Sequence, residues 1–382
     1  MRYTKLMGAL LATLVLSGNA TADAEADALK AKQAALQAEQ PGLFARDIAQ
    51  KLGVSEAKLL AADIGRGATL LRSDVATYKA LFNRMHELGR IKAITRNENG
   101  VIERTAVALP PKLDEQGRVK PGSGFVGTDI DLRFKMDSWA YAFAVVAPRA
   151  GGRTSRSLQF FAKNGEAVHK VYLNDEKGVP AFEKLVAEFK APDQKPDWTV
   201  VVDKPVKPLT DMNIKELRTA WFEMTDVHEF QRLINDFGIS RERAFEVIGT
   251  DAAYKITGKS VETLLETASK RQQPIMVFVS NQGMVQIYSG LIEKTEAKNG
   301  WFNVLDPDFD LHLRQSGVDH GWVVRRPAKS GTITSVEFYD TKGEQVVNFF
   351  SRRDPGKEET KVWRDIVAVS YTHLTLPTIC SV

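Results

Sequence analysis

Six histidines and a late group of arginines carry most of the site chemistry open to this 382-residue chain. His228 stands in Met224-Thr225-Asp226-Val227-His228-Glu229-Phe230. Asp226 and Glu229 have the spacing of a capping box, which puts His228 at the second helical position. A helix N-terminus disfavours imidazolium, and a neutral ring is what metal ligation requires. The same pattern also suits a surface histidine at a helix start. His312 alternates with Leu311 and Leu313 and reads as a rival ligand or a cross-strand residue. His86 and His169 read as surface-helix and strand residues, and His320, before Gly321-Trp322, as a loop residue. Arg133 lies on the strand face opposite Ile130, Leu132 and Phe134. Arg241, Arg325, Arg326, Arg352 and Arg353 gather late in the chain. Guanidinium forks suit carboxylates, so near a histidine they could hold a dianionic ligand; from spacing alone, solvated surface arginines fit equally.

Other chemistries find no support. No Gly-rich phosphate loop, nucleophile elbow or HExxH motif occurs. The single cysteine, Cys380, excludes an intrachain disulfide framework and a multi-cysteine metal site. A net charge of +4 is too small for a nucleic-acid partner.

The elements that position these residues are written twice. Ser157-Leu158-Gln159-Phe160-Phe161 returns as Ser335-Val336-Glu337-Phe338-Tyr339, 178 residues later. Asp129 to Phe134 returns as Asp308 to Leu313, Glu98 to Val101 as Gln282 to Val285, and Leu52 to Ser55 as Phe237 to Ser240. A period this long means two copies of a domain-sized unit rather than a solenoid. Each copy reads as helices, then alternating strands, then a closing helix. Helices are expected over 23–40, in a pair between Pro41 and Leu60, over Tyr78–Leu88 and over Pro180–Lys190. Strands run between Lys92 and Tyr172, with turns at Asn99-Gly100 and Asn164-Gly165. The second copy has helices from Met212 to Ser269, strands from Pro274 to Phe350 and a helix over Glu359–Ala368. The fold class is α+β, an internal duplication of two helix-plus-antiparallel-sheet repeats. The repeats fall at 38–192 and 212–368, with a Pro-rich linker at 193–211. Measured against the repeat, His228 answers Leu43 and Arg133 answers His312, so duplication alone explains neither residue.

The ends read as separate from this fold. Residues 1–22 have the basic, apolar and small-residue order of a secretory signal peptide, implying a periplasmic protein with no membrane span in its mature form. With a mis-called start codon it would be cytoplasmic. Residues 369–382 have no counterpart in the first copy and read as a foreign tail, which removes His373 and Cys380 from any site.

The duplicated segments resemble the haemin-degrading and haemin-transport factors of bacterial haem uptake (HemS/ChuS type). The resemblance rests on Phe44-Ala45-Arg46-Asp47-Ile48-Ala49, Arg96-Asn97-Glu98, Met224 to His228, Val277-Phe278-Val279 and Trp322-Val323-Val324-Arg325-Arg326-Pro327. It implies haem (iron protoporphyrin IX) between the halves, with His228 as axial iron ligand and Arg133 on the distal side. It further implies that Arg241, Arg326 and Arg353 hold the propionates. The family's nearby tyrosine is Phe350 here. Family histidines are replaced by Ile102 and missing from Gly122-Ser123-Gly124-Phe125. The implied function is haem binding in an iron-uptake system, by carriage or by degradation with an electron donor. A haem ABC transporter or another uptake component would be the partner. A carrier without ring-opening activity and a non-haem anion-binding protein are the alternatives. Each half expressed alone is expected to fold and to bind haem poorly.

Overall fold

The computed structural model describes residues 24–198, 211–354 and 356–372. The leader at 1–22, linker residues 199–210 and tail residues 373–382 lie outside the described residues. Helices α1 (24–39), α2 (Ala45–Lys51) and α3 (Glu56–Ala61) come first, followed by β1 (Ala68–Leu71) and α4 (Val75–Asn83). Next come β2 (Arg90–Arg96), β3 (Gly100–Val107), β4 (Asp131–Phe134), β5 (Trp139–Pro148), β6 (Thr154–Ala162), β7 (Ala167–Leu173) and α5 (Val179–Phe189). The second copy opens with α6 (Asp211–Phe222), α7 (Glu229–Phe237), α8 (Arg241–Ile248), β8 (Ala253–Thr257) and α9 (Ser260–Lys270). It continues with β9 (Ile275–Ser280), β10 (Met284–Gly290), β11 (Thr295–Lys298), β12 (Trp301–Asp306) and β13 (Phe309–Arg314). It closes with β14 (His320–Ala328), β15 (Gly331–Tyr339), β16 (Gln345–Ser351) and α10 (Lys361–Thr372).

Each element from α1 to α5 is answered in order between α6 and α10. Strands β11 and β12 stand where the first copy has the connection 108–130. Local chemistry repeats as well. The Ser55 hydroxyl accepts from the Lys58 N–H at the head of α3, and Ser240 accepts from Arg243 at the head of α8. Three boundaries differ from the sequence reading. The Tyr78–Leu88 helix stops at Asn83 and continues as a 3₁₀ turn, Met85–Leu88, ended by Gly89 at φ +69°. Strand β8 interrupts the expected helical stretch, too short to show a period. Helix α10 runs four residues past Ala368.

The described chain divides into two compact units that do not follow the repeat boundaries. The first holds residues 24–82, Met136–Leu173 and 179–198; the second holds Asn83–Lys135, Asn174–Gly178 and everything described from residue 211. In the first unit β1, β5, β6 and β7 form an antiparallel order. Tyr78, Phe82, Trp139, Phe160 and the ring of His169 pack together in its interior.

In the second unit a seven-stranded antiparallel sheet runs β4-β10-β9-β16-β15-β14-β8. Here the copies exchange strands. First-copy β4 pairs with second-copy β10, setting Arg133 opposite Val285, while second-copy β13 pairs with first-copy β3, setting His312 opposite Val101. The two registers are equivalent under the repeat. Two asparagines clasp the exchanged hairpins. Asn97 caps its own turn by accepting from the N–H groups of Asn99 and Gly100, and its amide donates to the Val346 and Ser280 carbonyls. Asn281 accepts from Gly283 and Met284 and donates to the Arg96 carbonyl. The Asn99-Gly100 turn is therefore an Asx turn built by Asn97, with Gly100 already in β3.

Candidate functional site

Cross-strand partners share a face, so the registers define the surface on which Arg133 lies. Arg133 opposes Val285, Ile287 opposes Phe278, Phe278 opposes Asn348, and Met276 and Ser335 both oppose Phe350. Glu337 opposes Asn348, and Glu337 and Trp322 are partners too. One continuous face thus carries Arg133, Val285, Phe278, Met276, Phe350, Glu337 and Trp322. The opposite face, with Val277, Val279, Val336, Phe338 and Phe349, is buried beneath Leu264, Leu265, Trp363 and Ile366 of α9 and α10.

Helices α6, α7 and α8 close the first face at Trp322, Val324 and Tyr339, through Trp221, Phe230, Ile234 and Phe245. Beyond that cluster, Met276, Phe278, Val285 and Phe350 are only half-buried. Phe278 and Phe350 meet edge-on, with ring centroids 5.1 Å apart. An apolar platform left half-covered beside a helix head can seat a flat hydrophobic ligand. The sequence reading named only Phe350 here. Strand β9 contains Met276 and Phe278 where a half-buried strand should be polar, and that doubly apolar run was the available signal.

His228 sits directly before α7, with its side chain 90% exposed. The expected capping box takes another form. The Asp226 carboxylate accepts from the His228 backbone N–H at 2.8 Å, and Glu229 accepts from the Thr225 hydroxyl at 2.9 Å. His228 therefore stands at the helix cap rather than the second helical position. The Asp226 carboxylate also lies 2.6 Å from Nδ1 of the His228 ring. A carboxylate on Nδ1 favours a proton there and leaves Nε2 free to ligate, the arrangement seen behind metal-bound histidines. The hydrogen bond from the His228 backbone holds the Asp226 carboxyl below its usual range, assisted by Arg353. Leu43, the repeat counterpart, offers none of this.

Arg133 is half-exposed on edge strand β4, paired with Asp131 on the same face and donating to the Leu132 carbonyl at 3.2 Å. The structure places Arg133 and His228 in the same compact unit. Arg133 comes from the first copy and His228 from the second, and the strand exchange brings both copies' segments into that unit.

Arg326 lies inside the protein. Its guanidinium is 1% exposed and donates to Glu337 at 2.7 Å and to the Ser335 hydroxyl at 2.8 Å, so its charge is already matched inside the protein. Arg241 binds the same carboxylate through Nε at 2.6 Å and Nη2 at 3.2 Å, but keeps about a quarter of its side chain exposed. Burial works against the Glu337 carboxylate; the two guanidiniums outweigh it and hold its carboxyl far below the usual range. Among the described residues, Arg326 Nε and Asn348 Oδ1 are buried polar atoms without a protein partner on this face. An apolar platform on one face with unmatched polar atoms and Arg241, in a unit that also has an exposed imidazole, fits a planar metal-bearing ligand with acidic edges.

His86 lies in the 3₁₀ turn Met85–Leu88, its Nδ1 buried and without a protein partner among the described residues, and three other histidines are engaged elsewhere. His312 Nδ1 lies 2.7 Å from the Asn303 amide oxygen across β12 and β13. His320 is not in a loop: it begins β14, bridges Asp319 and Glu242, and stacks on Tyr339. His169 is buried, which lowers its pKa to about 3.

These features define a class: duplicated α+β chains with a histidine at a helix head beside an apolar sheet face. The sequence profile of the haemin-degrading HemS.ChuX domain matches residues 53–189 and 238–369, and the chain belongs to this family. It is 35% identical over 336 residues to the hemin transport protein HmuS of Yersinia pestis, covering 87% of this chain and 94% of that one. Among solved structures it is similar to holo-PhuS, a heme-binding protein from Pseudomonas aeruginosa, with TM-score 0.78, 36% identity and coverage of 89% and 97% of the two chains. The heme degrading enzyme ChuS of Escherichia coli O157:H7 superposes with TM-score 0.79 at 30% identity, covering 90% and 99%.

Proposed function

We propose that this chain binds haem in its second unit and serves a bacterial haem-iron uptake system by delivering or degrading it. The observation that carries the reading is His228. Its ring meets a carboxylate at Nδ1, leaving Nε2 for the haem iron, and it precedes α7, whose Phe230 packs in one cluster with Trp322 of the face that also carries Met276, Phe278, Val285 and Phe350. Arg133 would stand on the distal side, and Arg241 and Arg353 would meet the propionates. Phe350 would contact the ring through its apolar surface. Bound haem supplies the redox-active iron and the ring that is either passed on or opened.

Relatives named for transport and for degradation support both outcomes. The non-haem anion reading loses support, because Glu337 already neutralises one of the two guanidinium charges at its core. Anaerobic haem titration tests the reading: one equivalent should give a saturable Soret shift. Adding oxygen and reductant then separates the outcomes, since degradation bleaches the Soret band and frees iron, while carriage preserves both. A haem ABC transporter or another uptake component would be the partner, with an electron donor if the ring is opened. The leader-like order of residues 1–22 supports export to the periplasm. Intact mass of the protein from its own host checks that: processing near Asp23 supports export, and retained Met1 in the cytosol refutes it. Among the described residues no helix is long and apolar enough to cross a membrane.

A further inference from the structure

We propose that Glu337, a buried residue remote from the exposed His228 ring, is a positioning residue for haem ligation. It acts by holding two arginines against Phe230, in the first turn of α7. The inference rests on the haem reading above and adds a residue through which this chain fixes its ligand.

The geometry begins with exposure. His228 projects into solvent, and among the described residues its ring hydrogen-bonds to the neighbouring Asp226, so its position depends on where α7 begins. Two residues later, Phe230 is buried, with the guanidinium carbon of Arg326 4.3 Å and that of Arg241 4.7 Å from its ring centroid. Cations over an aromatic face are attracted by its quadrupole, most strongly when water is excluded. Left alone, the two guanidiniums would repel each other. Glu337 removes that conflict by binding both, while the Ser335 hydroxyl donates to it at 2.7 Å and the Tyr339 hydroxyl and the Gln345 side-chain amide donate at 3.2 Å each. Arg326 comes from β14, Arg241 from α8 and Glu337 from β15, so the sheet and α8 jointly grip α7.

The first copy lacks the arrangement. Gln159 stands in the place of Glu337 and donates to the Ser157 hydroxyl, and Glu56, in the place of Arg241, pairs with Lys170. The grip occurs only in the copy that has the histidine. A general requirement of the fold would appear in both.

The test is a double-substitution cycle read by haem affinity and the ferric spectrum. In the wild-type background, Glu337→Gln should lower haem affinity by about tenfold, equivalent to about 1.4 kcal/mol, and mix coordination states. Phe230→Leu, which leaves the ion cluster intact and the position apolar, should give the same spectral change. Both are then repeated in His228→Gly, with imidazole supplied in solution as the ligand. Because a diffusible ligand does not depend on α7, the spectral change of both variants should vanish there, whatever share of the Glu337→Gln affinity loss comes through Arg241 and the propionates. If either spectral change persists at full size, the residue does not act through the position of His228, and the proposal is overturned. Should Glu337→Gln fail to fold, Phe230→Leu decides alone, and an unchanged spectrum in that variant overturns the proposal. A wild-type chain that takes up no haem refutes the haem reading itself, a result distinct from persistence in the cycle.

Discussion

Between pH 7 and pH 5, acidification should weaken the first unit through His169 by a calculable amount. His169 lies within β7, 1% exposed, with its ring 6.0 Å from that of Phe82. Burial lowers its pKa from 6.5 to about 3. The folded value lies below the unfolded one, so below pH 6.5 the unfolded chain binds a proton that the folded chain refuses. Stability is therefore fully present above that pH and is lost as pH falls towards 3. The slope is about 1.4 kcal/mol per pH unit, giving a loss of about 2 kcal/mol between pH 7 and pH 5. His169→Leu removes the titration while keeping the site apolar. Urea unfolding of the apo-protein at pH 7, 6 and 5, followed by tryptophan fluorescence, measures both proteins. The wild type should lose about 2 kcal/mol more than the variant over this range, whatever the variant's stability at pH 7. Haem affinity at pH 7 should be unchanged, because this histidine is not a ligand. Parallel pH profiles would show that the buried ring accepts its proton in the folded state and would refute the argument.

Two further outcomes follow from the second unit. Arg133→Ala should retain haem within a few-fold of wild-type affinity while altering the distal spectrum and any turnover, measured by titration and single-turnover absorbance. A fragment of residues 212–372 should fail to fold cooperatively. It lacks β2, β3 and β4, leaving β10 and β13 without their exchanged partners and the buried Gln286 amide without the Ala93 carbonyl to which it donates. Circular dichroism with thermal melting checks this, and a fragment that melts sharply and binds haem with full-chain affinity would contradict it.

The order of elements was legible because alternation in β13 and the i, i+3, i+4 spacing of Phe230, Leu233 and Ile234 are local signals. His228 was legible for a different reason, as a difference between copies. The strand exchange was not, since nothing near Asp131 records that its partner is Ile287 of the other copy. That pairing argues against the expectation that each half folds alone, which the 212–372 fragment tests. Glu337 escaped notice because a charge between Val336 and Phe338 reads as the solvent face of a strand; that face is covered by α6, α7 and α8. The ion pair of Arg326 was not legible for the same reason, since its partner Glu337 lies on the neighbouring strand.

The central claim is that His228 ligates haem iron, and the ferric absorption and electron paramagnetic resonance spectra of the wild type and His228→Ala test it most directly. The wild type should show a saturable histidine-ligated spectrum at one equivalent. His228→Ala should lose that signature and bind haem at least tenfold more weakly, about 1.4 kcal/mol or more. An unchanged ferric spectrum in His228→Ala would contradict the assignment.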